Sequence, residues 1–565
     1  MTPAFGDRLR GGATLLLLSC AAACFCIPLT NPDLFWHLSS ARWMMEHGAL
    51  PRADWLSFTM EGRSWSDFEW LIQLAWHAVF QAGSMAGLWT LKAALFSACA
   101  SLLWAILSLY GVPSLGRAAA VFAWALGTVT ANDLRPENAS AFFFLLLWWG
   151  LEAGRLERLP KTLNGPRLFA AAGLVFVLWA NIHAGFVYGL GLIGIFAGAE
   201  IITRRSGRLL GLEALCAACA LLNPYGVGIY RVLWEHWGML DALSSHIREW
   251  QEASVLSPWL WPFWGILLLA YGAVLLRHLR LKDAPIEHTA ALLLLSLSAS
   301  GHIRTTIYFL CAALPLSADA LMRLAQTPRA RFWRAALLGL LCAAGLAFFC
   351  WRVLPIFRDF RFFLPRYVPE QLTLFLKEEK PLLAGRRMLN PWHWGGYLGY
   401  ELYPDLRVFV DGRYIFHPLL APMKDALVDP GAYRAFLSEH GIEVAVLERT
   451  RQLRLLPALL KDGKRADVWR PFYLEFLPKA DWALAYWDEQ GLVFLKRSAF
   501  PRKDLDRLEF TAFRPDDLEA AGLLFKEGHI PRARLEAEVR RYKRLAGPLA
   551  AAQEADAWLS SLRRS

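Results

Sequence analysis

The chain has 565 residues, 56% of them hydrophobic, with 26 Trp and a formal net charge of +11. That is too apolar and too aromatic for a soluble enzyme of this length. Long apolar runs recur from Ala13 to Leu354 and then stop, leaving a polar tail long enough for a core of its own. The composition specifies an integral membrane protein with one soluble domain.

In chain order, the apolar runs place about eleven helices of roughly 17–25 residues, the length a bilayer requires. They lie near residues 12–29, 85–110, 114–132, 138–155, 167–183, 186–203, 208–223, 259–277, 286–301, 304–322 and 333–354. The runs at 114–132 and 286–301 are the shortest or least regular. The first lacks a small-residue cleavage site and reads as a retained anchor.

Basic residues set the orientation. Arg8 and Arg10; Arg155, Arg158, Lys161 and Arg167; Arg204, Arg205 and Arg208; Arg277, Arg280 and Lys282; and Arg323, Arg329, Arg331 and Arg334 all fall on one side under this count. The positive-inside rule makes that side cytoplasmic, the N-terminus with it, and an odd number of spans sends the C-terminal domain to the opposite face. The same clusters account for most of the net charge, so no nucleic-acid partner is inferred. All nine cysteines lie inside predicted spans, which excludes a disulfide framework or a thiolate zinc site outside the membrane. Cys216-Ala-Ala-Cys219 has redox-motif spacing, but its apolar helix makes packing the better account.

The first exported loop, residues 30–84, opens with Asn31-Pro32-Asp33-Leu34-Phe35-Trp36-His37. A carboxylate beside a bilayer is costly unless solvated or paired, which invites a functional reading. The alternative is an interfacial loop anchored by Phe35, Trp36, Trp43 and Trp55. Two amphipathic helices are expected in the loop, at 39–47 and 70–80, lying on the membrane.

Further polar groups recur at the exported ends of other spans. Asp67 and Glu69 close the first loop, and Asn132-Asp133-Leu134-Arg135-Pro136-Glu137 joins spans three and four. Trp179-Ala180-Asn181-Ile182-His183, Asn223-Pro224-Tyr225-Gly226, Ile247-Arg248-Glu249-Trp250 and Gly301-His302-Ile303-Arg304 follow the same pattern. Each alone fits a helix stop or an interfacial anchor. Together they predict a polar cavity opening outward. Asp33, Asp67 and Glu69 are candidate proton acceptors for an attacking hydroxyl. Arg135, Arg248 and Arg304 suit a phosphate leaving group, because guanidinium pairs bidentately with phosphate oxygens. His37, His183 and His302 can bind phosphate or shuttle protons. They are also chemically able to hold a divalent metal, although no HExxH-like spacing supports one and no metal ligands are assigned. The competing view is an Arg–carboxylate network that only holds the loops.

These stretches, with His47-Gly48-Ala49-Leu50-Pro51-Arg52-Ala53-Asp54, Phe68-Glu69-Trp70-Leu71, Trp394-Gly395-Gly396-Tyr397-Leu398 and Val408-Phe409-Val410-Asp411-Gly412-Arg413, resemble the GT-C glycosyltransferase superfamily. The similarity is to bacterial members related to the dolichyl-phosphate-mannose–protein mannosyltransferases and spans residues 10–500. It implies a multi-pass enzyme of the bacterial cytoplasmic membrane that uses a polyprenyl-phosphate-linked sugar as donor and a lipid, glycan or protein as acceptor. It also implies an essential acid in the first exported loop, which maps onto Asp33. Relatives that glycosylate protein often carry Asp-Glu where this chain has Asp33-Leu34; the departure weakens the case for a protein acceptor and turns attention to Glu69 as second catalytic carboxylate, the alternative being that Glu69 caps or pins the following helix. By their chemistry His37, Asp67, Arg135, His183, Arg248, His302 and Arg304 form the candidate substrate-binding set.

Beyond Leu354 the expected order is an exported α/β domain over 355–505, with strands near 407–411, 443–448 and 492–496, and then a helical hairpin over 506–565 with Pro531 between its arms. Trp392, Trp394, Gly395, Gly396 and Tyr397 read either as a sugar-stacking surface or as a core turn. The fold class is thus mainly α: a membrane helix bundle over 1–354, GT-C-like, followed by this α/β domain. A transporter or flippase for a lipid-linked saccharide is the chief alternative, but its polar residues should mark a path at the bilayer midplane rather than one face. A non-catalytic envelope assembly protein is the third reading.

Overall fold

The computed structural model describes residues 3–545 apart from positions 164, 325, 460–462 and 464, and beyond 545 only residues 555, 557–560 and 562. The chain divides into two compact units. The first comprises residues 1–31, 44–50 and 66–364, and the second residues 32–43, 51–65 and 365–565.

The first unit is a polytopic membrane helix bundle. Every apolar run of the sequence is helical: Pro3–Phe25, Trp70–Leu109, Ser114–Gly127, Pro136–Arg155, Pro166–Ala180, Phe186–Arg204, Arg208–Ala220, Trp261–Leu281, Ile286–Gly301, Thr306–Leu324 and Pro328–Phe348. Among the described residues six segments are long and apolar enough to cross a bilayer by length and composition, fewer than the eleven expected from the runs. The shortfall comes mostly from length, as in Ser114–Gly127, Pro166–Ala180, Arg208–Ala220 and Ile286–Gly301, and in Pro136–Arg155 from Glu137, Glu152 and Arg155. Charges buried within the bundle are paired, as burial demands. Arg155 bonds Glu152 at 2.7 Å, His288 lies 2.7 Å from the same carboxylate, and Arg277 reaches Asp319 at 2.5 Å and Asp283 at 2.9 Å. The expected helix at 70–80 forms but runs on into the next span, with a break at Ser84, whose φ of 49° is non-helical. Two short helices unforeseen in the sequence, Gly228–Trp237 and Leu240–His246, lead to the 248–250 turn. Backbone bonds from Leu29 N–H to Phe362 and from Leu364 N–H to Leu29 tie the end of the first helix to the segment after the last.

The core of the second unit is a four-stranded sheet. The strands of the unit are β1 (Met388–Leu389), β2 (Val444–Glu448), β3 (Leu453–Leu459), β4 (Arg465–Pro471), β5 (Trp482–Trp487) and β6 (Gly491–Lys496). The sheet order is β1-β2-β6-β5, parallel only between β1 and β2, while β3 and β4 form a separate antiparallel ribbon. β5 is buried along its whole length and β6 along all but its last residue, so both read as continuous apolar runs rather than alternating ones. The expected strands at 443–448 and 492–496 are β2 and β6. The one at 407–411 joins no ladder, with a bend at Phe409 and an isolated bridge between Ser57 and Val408 as its strand-like pairing. Its backbone groups are taken instead by side chains and loop. Asn390 accepts from Phe409 N–H and donates to Val410 O, and Phe58 N–H bonds Val408 O. Of the expected terminal hairpin, Leu518–Lys526 and Arg532–Leu545 are helical on either side of Pro531, and most positions beyond 545 lie outside the described residues.

Candidate active site residues

Within the helix bundle, four charged side chains from three sequence regions form one ring. Arg135 precedes helix Pro136–Arg155 in extended conformation, with Pro136 at the first helical position, and Glu137 lies in the first turn, where the helix dipole favours an anion. Arg304 belongs to the short 3₁₀ turn Ile303–Thr305. The Arg135 guanidinium bonds Glu249 and lies 3.7 Å from Glu137. Arg304 contacts Glu137 through Nε and donates to Glu249 at 3.1 Å. Each guanidinium therefore touches both carboxylates. Burial would raise the Glu249 carboxyl, but Arg135 and then Arg304 outweigh it and hold it below its ordinary value. The loop carrying Glu249 is pinned to the Arg304 turn: Ile303 N–H bonds Gln251 O at 3.0 Å, Ala253 N–H bonds Ser300 O at 3.0 Å, and His302 Nδ1 sits 2.8 Å from Trp250 O. The Arg304 guanidinium also lies over the Trp250 ring, 5.3 Å from its centroid.

A second group centres on His183, just beyond helix Pro166–Ala180. Its Nδ1 accepts from Gly185 N–H at 2.9 Å and lies 2.9 Å from Ser140 Oγ, which in turn accepts from Trp179 Nε1 at 2.7 Å. An acceptor Nδ1 leaves the ring proton on Nε2, which faces Glu69 Oε1 at 3.9 Å. Asn181 anchors this corner by accepting from Trp70 Nε1 at 3.0 Å and donating to Leu222 O at 2.9 Å. Asp67 is buried; it accepts from Gln73 at 2.7 Å, and its N–H donates to Tyr225 Oη at 2.9 Å.

Asp33 and His37 belong to the second unit. The Asp33 carbonyl accepts from Trp36 and His37 N–H, which starts helix Leu34–His47, and the His37 ring lies against Trp36, tilted by 31°, with centroids 3.6 Å apart. Against Asp33 lies the turn Asp411-Gly412-Arg413. Arg413 grips Asp411 with Nε at 2.9 Å and Nη2 at 2.7 Å, and Nη2 also reaches Asp54 at 2.7 Å. All three residues are buried, and the guanidinium lies 4.7 Å from the Trp65 centroid. Burial opposes the charge on Arg413, but Asp411 and Asp54 outweigh it and raise its affinity for the proton. Trp394 is buried in the domain core and ends the short 3₁₀ segment Trp392–Trp394, while Gly395 and Gly396, which meet backbone directly, open the helix Gly395–Leu402, so the expected turn is a packed helix start. Trp392, half-buried, stacks on His417 with centroids 6.2 Å apart.

The sequence-derived set is thus distributed over three places. Arg135 and Arg304 meet in the ring, with His302 backing the Glu249 loop. Glu69 and His183 face each other, and Asp33 lies with His37 in the second unit. Arg248 is exposed and outside the ring. Sequence reasoning gives no role to Glu137 or Glu249, although each stands within two residues of an arginine, Arg135 and Arg248 respectively. Among the described residues no group of three or more His, Cys, Asp or Glu is placed to hold a metal ion.

No protein-family model and no curated protein matches the chain. Among solved structures, the apo oligosaccharyltransferase of Archaeoglobus fulgidus aligns over 81% of this chain and 74% of its own, at 12% identity and a TM-score of 0.51. The same protein tethered with an acceptor peptide containing the NVT sequon aligns over the same shares at 11% identity, again with a TM-score of 0.51. The chain has a GT-C fold. ArnT from Cupriavidus metallidurans bound to undecaprenyl phosphate also aligns, over 88% of this chain and 100% of its own, at 13% identity and a TM-score of 0.47. At 11–12% identity the likeness to the oligosaccharyltransferase is one of fold.

Proposed function

We propose that the chain is an integral-membrane glycosyltransferase that moves a sugar from a polyprenyl-phosphate-linked donor to a hydroxyl acceptor on the periplasmic face of the cytoplasmic membrane. The observation that carries this reading is the fold shared with an oligosaccharyltransferase over 81% of the chain. Asp33 takes the acceptor hydroxyl's proton as that oxygen attacks the anomeric carbon. The bond from that carbon to the phosphate oxygen breaks, and polyprenyl phosphate leaves with the electron pair. Arg135 and Arg304, with Arg248 as the exposed third candidate, stabilise the developing phosphate charge. Direct displacement inverts the anomeric centre, because no glycosyl-enzyme intermediate intervenes. Glu69 acts as the second carboxylate, and His37, Asp67, His183 and His302 bind donor or acceptor.

The test uses purified protein in nanodiscs with polyprenyl-phosphate sugars, following release of polyprenyl phosphate and gain of sugar mass on candidate hydroxyl acceptors. Envelope glycans and glycoproteins of a deletion strain, compared with its parent, identify the acceptor class. A protein that carries the intact lipid-linked sugar across proteoliposomes, with the sugar–phosphate bond uncleaved, would refute the enzyme and establish a flippase.

A further inference from the structure

Asp33 is held on three sides within the second unit. Its backbone is fixed by the start of helix Leu34–His47, through Trp36 and His37 N–H. The preceding carbonyl, of Pro32, lies 3.1 Å from where a Cβ on Gly396 would be. Its carboxylate occupies the space a side chain at Gly412 would fill: a Cβ there would come 2.1 Å from Asp33 Oδ1 and 3.2 Å from Oδ2. Real Cβ atoms do not approach oxygen so closely, so any residue larger than glycine forces the carboxylate to turn away.

The surface that meets the carboxylate is itself rigid. Gly412 stands between Asp411 and Arg413, which are joined by the bidentate pair and by a further bond from Arg413 N–H to Asp411 at 2.9 Å. Asp54, in the same loop as Asp33, closes on Arg413 from the other side. Behind the turn, Gly395 lets Val410 O approach to within 1.8 Å of its would-be Cβ position, so the segment ahead of Gly412 is seated directly on backbone. A buried charge pair of this kind is weak evidence for stability, but it serves well to fix one geometry.

We propose that the Asp411-Gly412-Arg413 turn of the C-terminal domain positions the Asp33 carboxylate, so that this domain supplies part of the reaction centre rather than serving only as an appended binding module. The inference rests on the general-base role of Asp33. Gly412 and Arg413 are positioning residues, acting through Asp33 and not on the substrate. A carboxylate turned away by a new methyl group moves by about 1 Å or more, and a displacement of that size costs about 10²-fold in rate.

The experiment is a mutant cycle of Gly412→Ala and Asp33→Ala in the full chain in nanodiscs, with thermal unfolding recorded for each protein. Gly412→Ala is expected to lower kcat about 10²-fold with donor KM nearly unchanged, since the perturbed group acts in the transition state. In the Asp33→Ala background, where no carboxylate remains to be displaced, adding Gly412→Ala should cost nothing more. A parent-like rate for Gly412→Ala, or a second full loss in the double variant, overturns the proposal. Should Gly412→Ala unfold, Arg413→Lys takes its place. It keeps the charge and loses the fork, and its effect on kcat should likewise vanish in the Asp33→Ala background. A parent-like rate for Asp33→Ala refutes the general-base reading itself, and this proposal with it. A dead Asp33→Ala beside a parent-like Gly412→Ala refutes this proposal alone.

Discussion

Replacing Arg304 separates an electrostatic role in catalysis from one in holding the bundle together. Arg304 contacts Glu137 through Nε and donates to Glu249 at 3.1 Å, while its side chain retains 29% exposure against 7% for Glu137. Breaking a buried ion pair by deleting one partner costs about 3–5 kcal/mol, because the other charge is left uncompensated. Here the loss is incomplete. Glu249 keeps Arg135, and Glu137 keeps the same guanidinium at 3.7 Å. We therefore expect Arg304→Ala to destabilise the bundle by about 2–3 kcal/mol, below the full value for an orphaned buried charge. Arg304→Lys should cost about half as much, since an ammonium keeps the charge but cannot bridge both carboxylates as a planar fork.

Catalysis should rank the same variants differently. If Arg304 clamps the donor phosphate, Arg304→Lys loses transfer rate in spite of its retained charge, by about 10-fold or more, and Arg304→Ala by about 10²-fold or more. Transfer rate and donor affinity in nanodiscs, set beside thermal unfolding of the same preparations, separate the two effects. Lys and Ala variants that transfer sugar like the parent would refute the clamp and pass the role to Arg135 or Arg248. An unchanged unfolding temperature for Arg304→Ala would refute the energetic account of the ring.

Asp33→Asn keeps the side-chain shape and removes the base; transfer should fall about 10²–10⁴-fold with normal membrane insertion, and an undiminished rate passes the role to Asp67 or Glu69. Charge bias puts Arg205 in the cytoplasm and the second unit outside, so reporter fusions after Arg205 and after Arg413 should report opposite sides of the membrane; a cytoplasmic signal from the second breaks the orientation argument. Glu538 accepts from the backbone N–H groups of Thr511, Ala512 and Phe513 at 2.8–3.0 Å; burial would raise its carboxyl, but these bonds outweigh it and lower it. Its contribution is therefore complete above the unfolded value of about 4.3 and is lost as pH falls through the lower folded value, so Glu538→Gln should flatten the fall in unfolding temperature below about pH 4.3. Identical acid slopes for the two proteins would refute that assignment.

The bundle was legible because a bilayer imposes length and apolarity on each helix separately, and all eleven runs emerged as helices. Hydropathy was less informative for helix Pro136–Arg155, because Glu152, paired with Arg155 and His288, lowers the apolar signal without preventing the helix. Segment 407–411 reads like a strand in composition, yet its backbone partners are an Asn side chain and a loop some 350 positions earlier in the chain, which no local pattern encodes.

The site residues divide along the same line. Arg135 and Arg304 stood out because polar groups converge at the same ends of several apolar runs and a guanidinium suits a phosphate. Their partner Glu249 did not, because it sits beside Arg248, and only the fold decides that the carboxylate turns inward while the neighbouring guanidinium stays exposed. Gly412 shows the same limit from the opposite side. In the sequence it is one glycine among 41, and its motif suggested only similarity. Its significance is a missing atom, since the Asp33 carboxylate can lie where it does only because residue 412 has no Cβ. Selection for a void leaves no chemical group in the sequence to recognise. Sequence reading therefore favours residues whose side chains carry recognisable chemistry and misses those that make room for them, and here Asp33 and Gly412 lie 379 positions apart, one in the loop after the first helix and the other in the C-terminal domain.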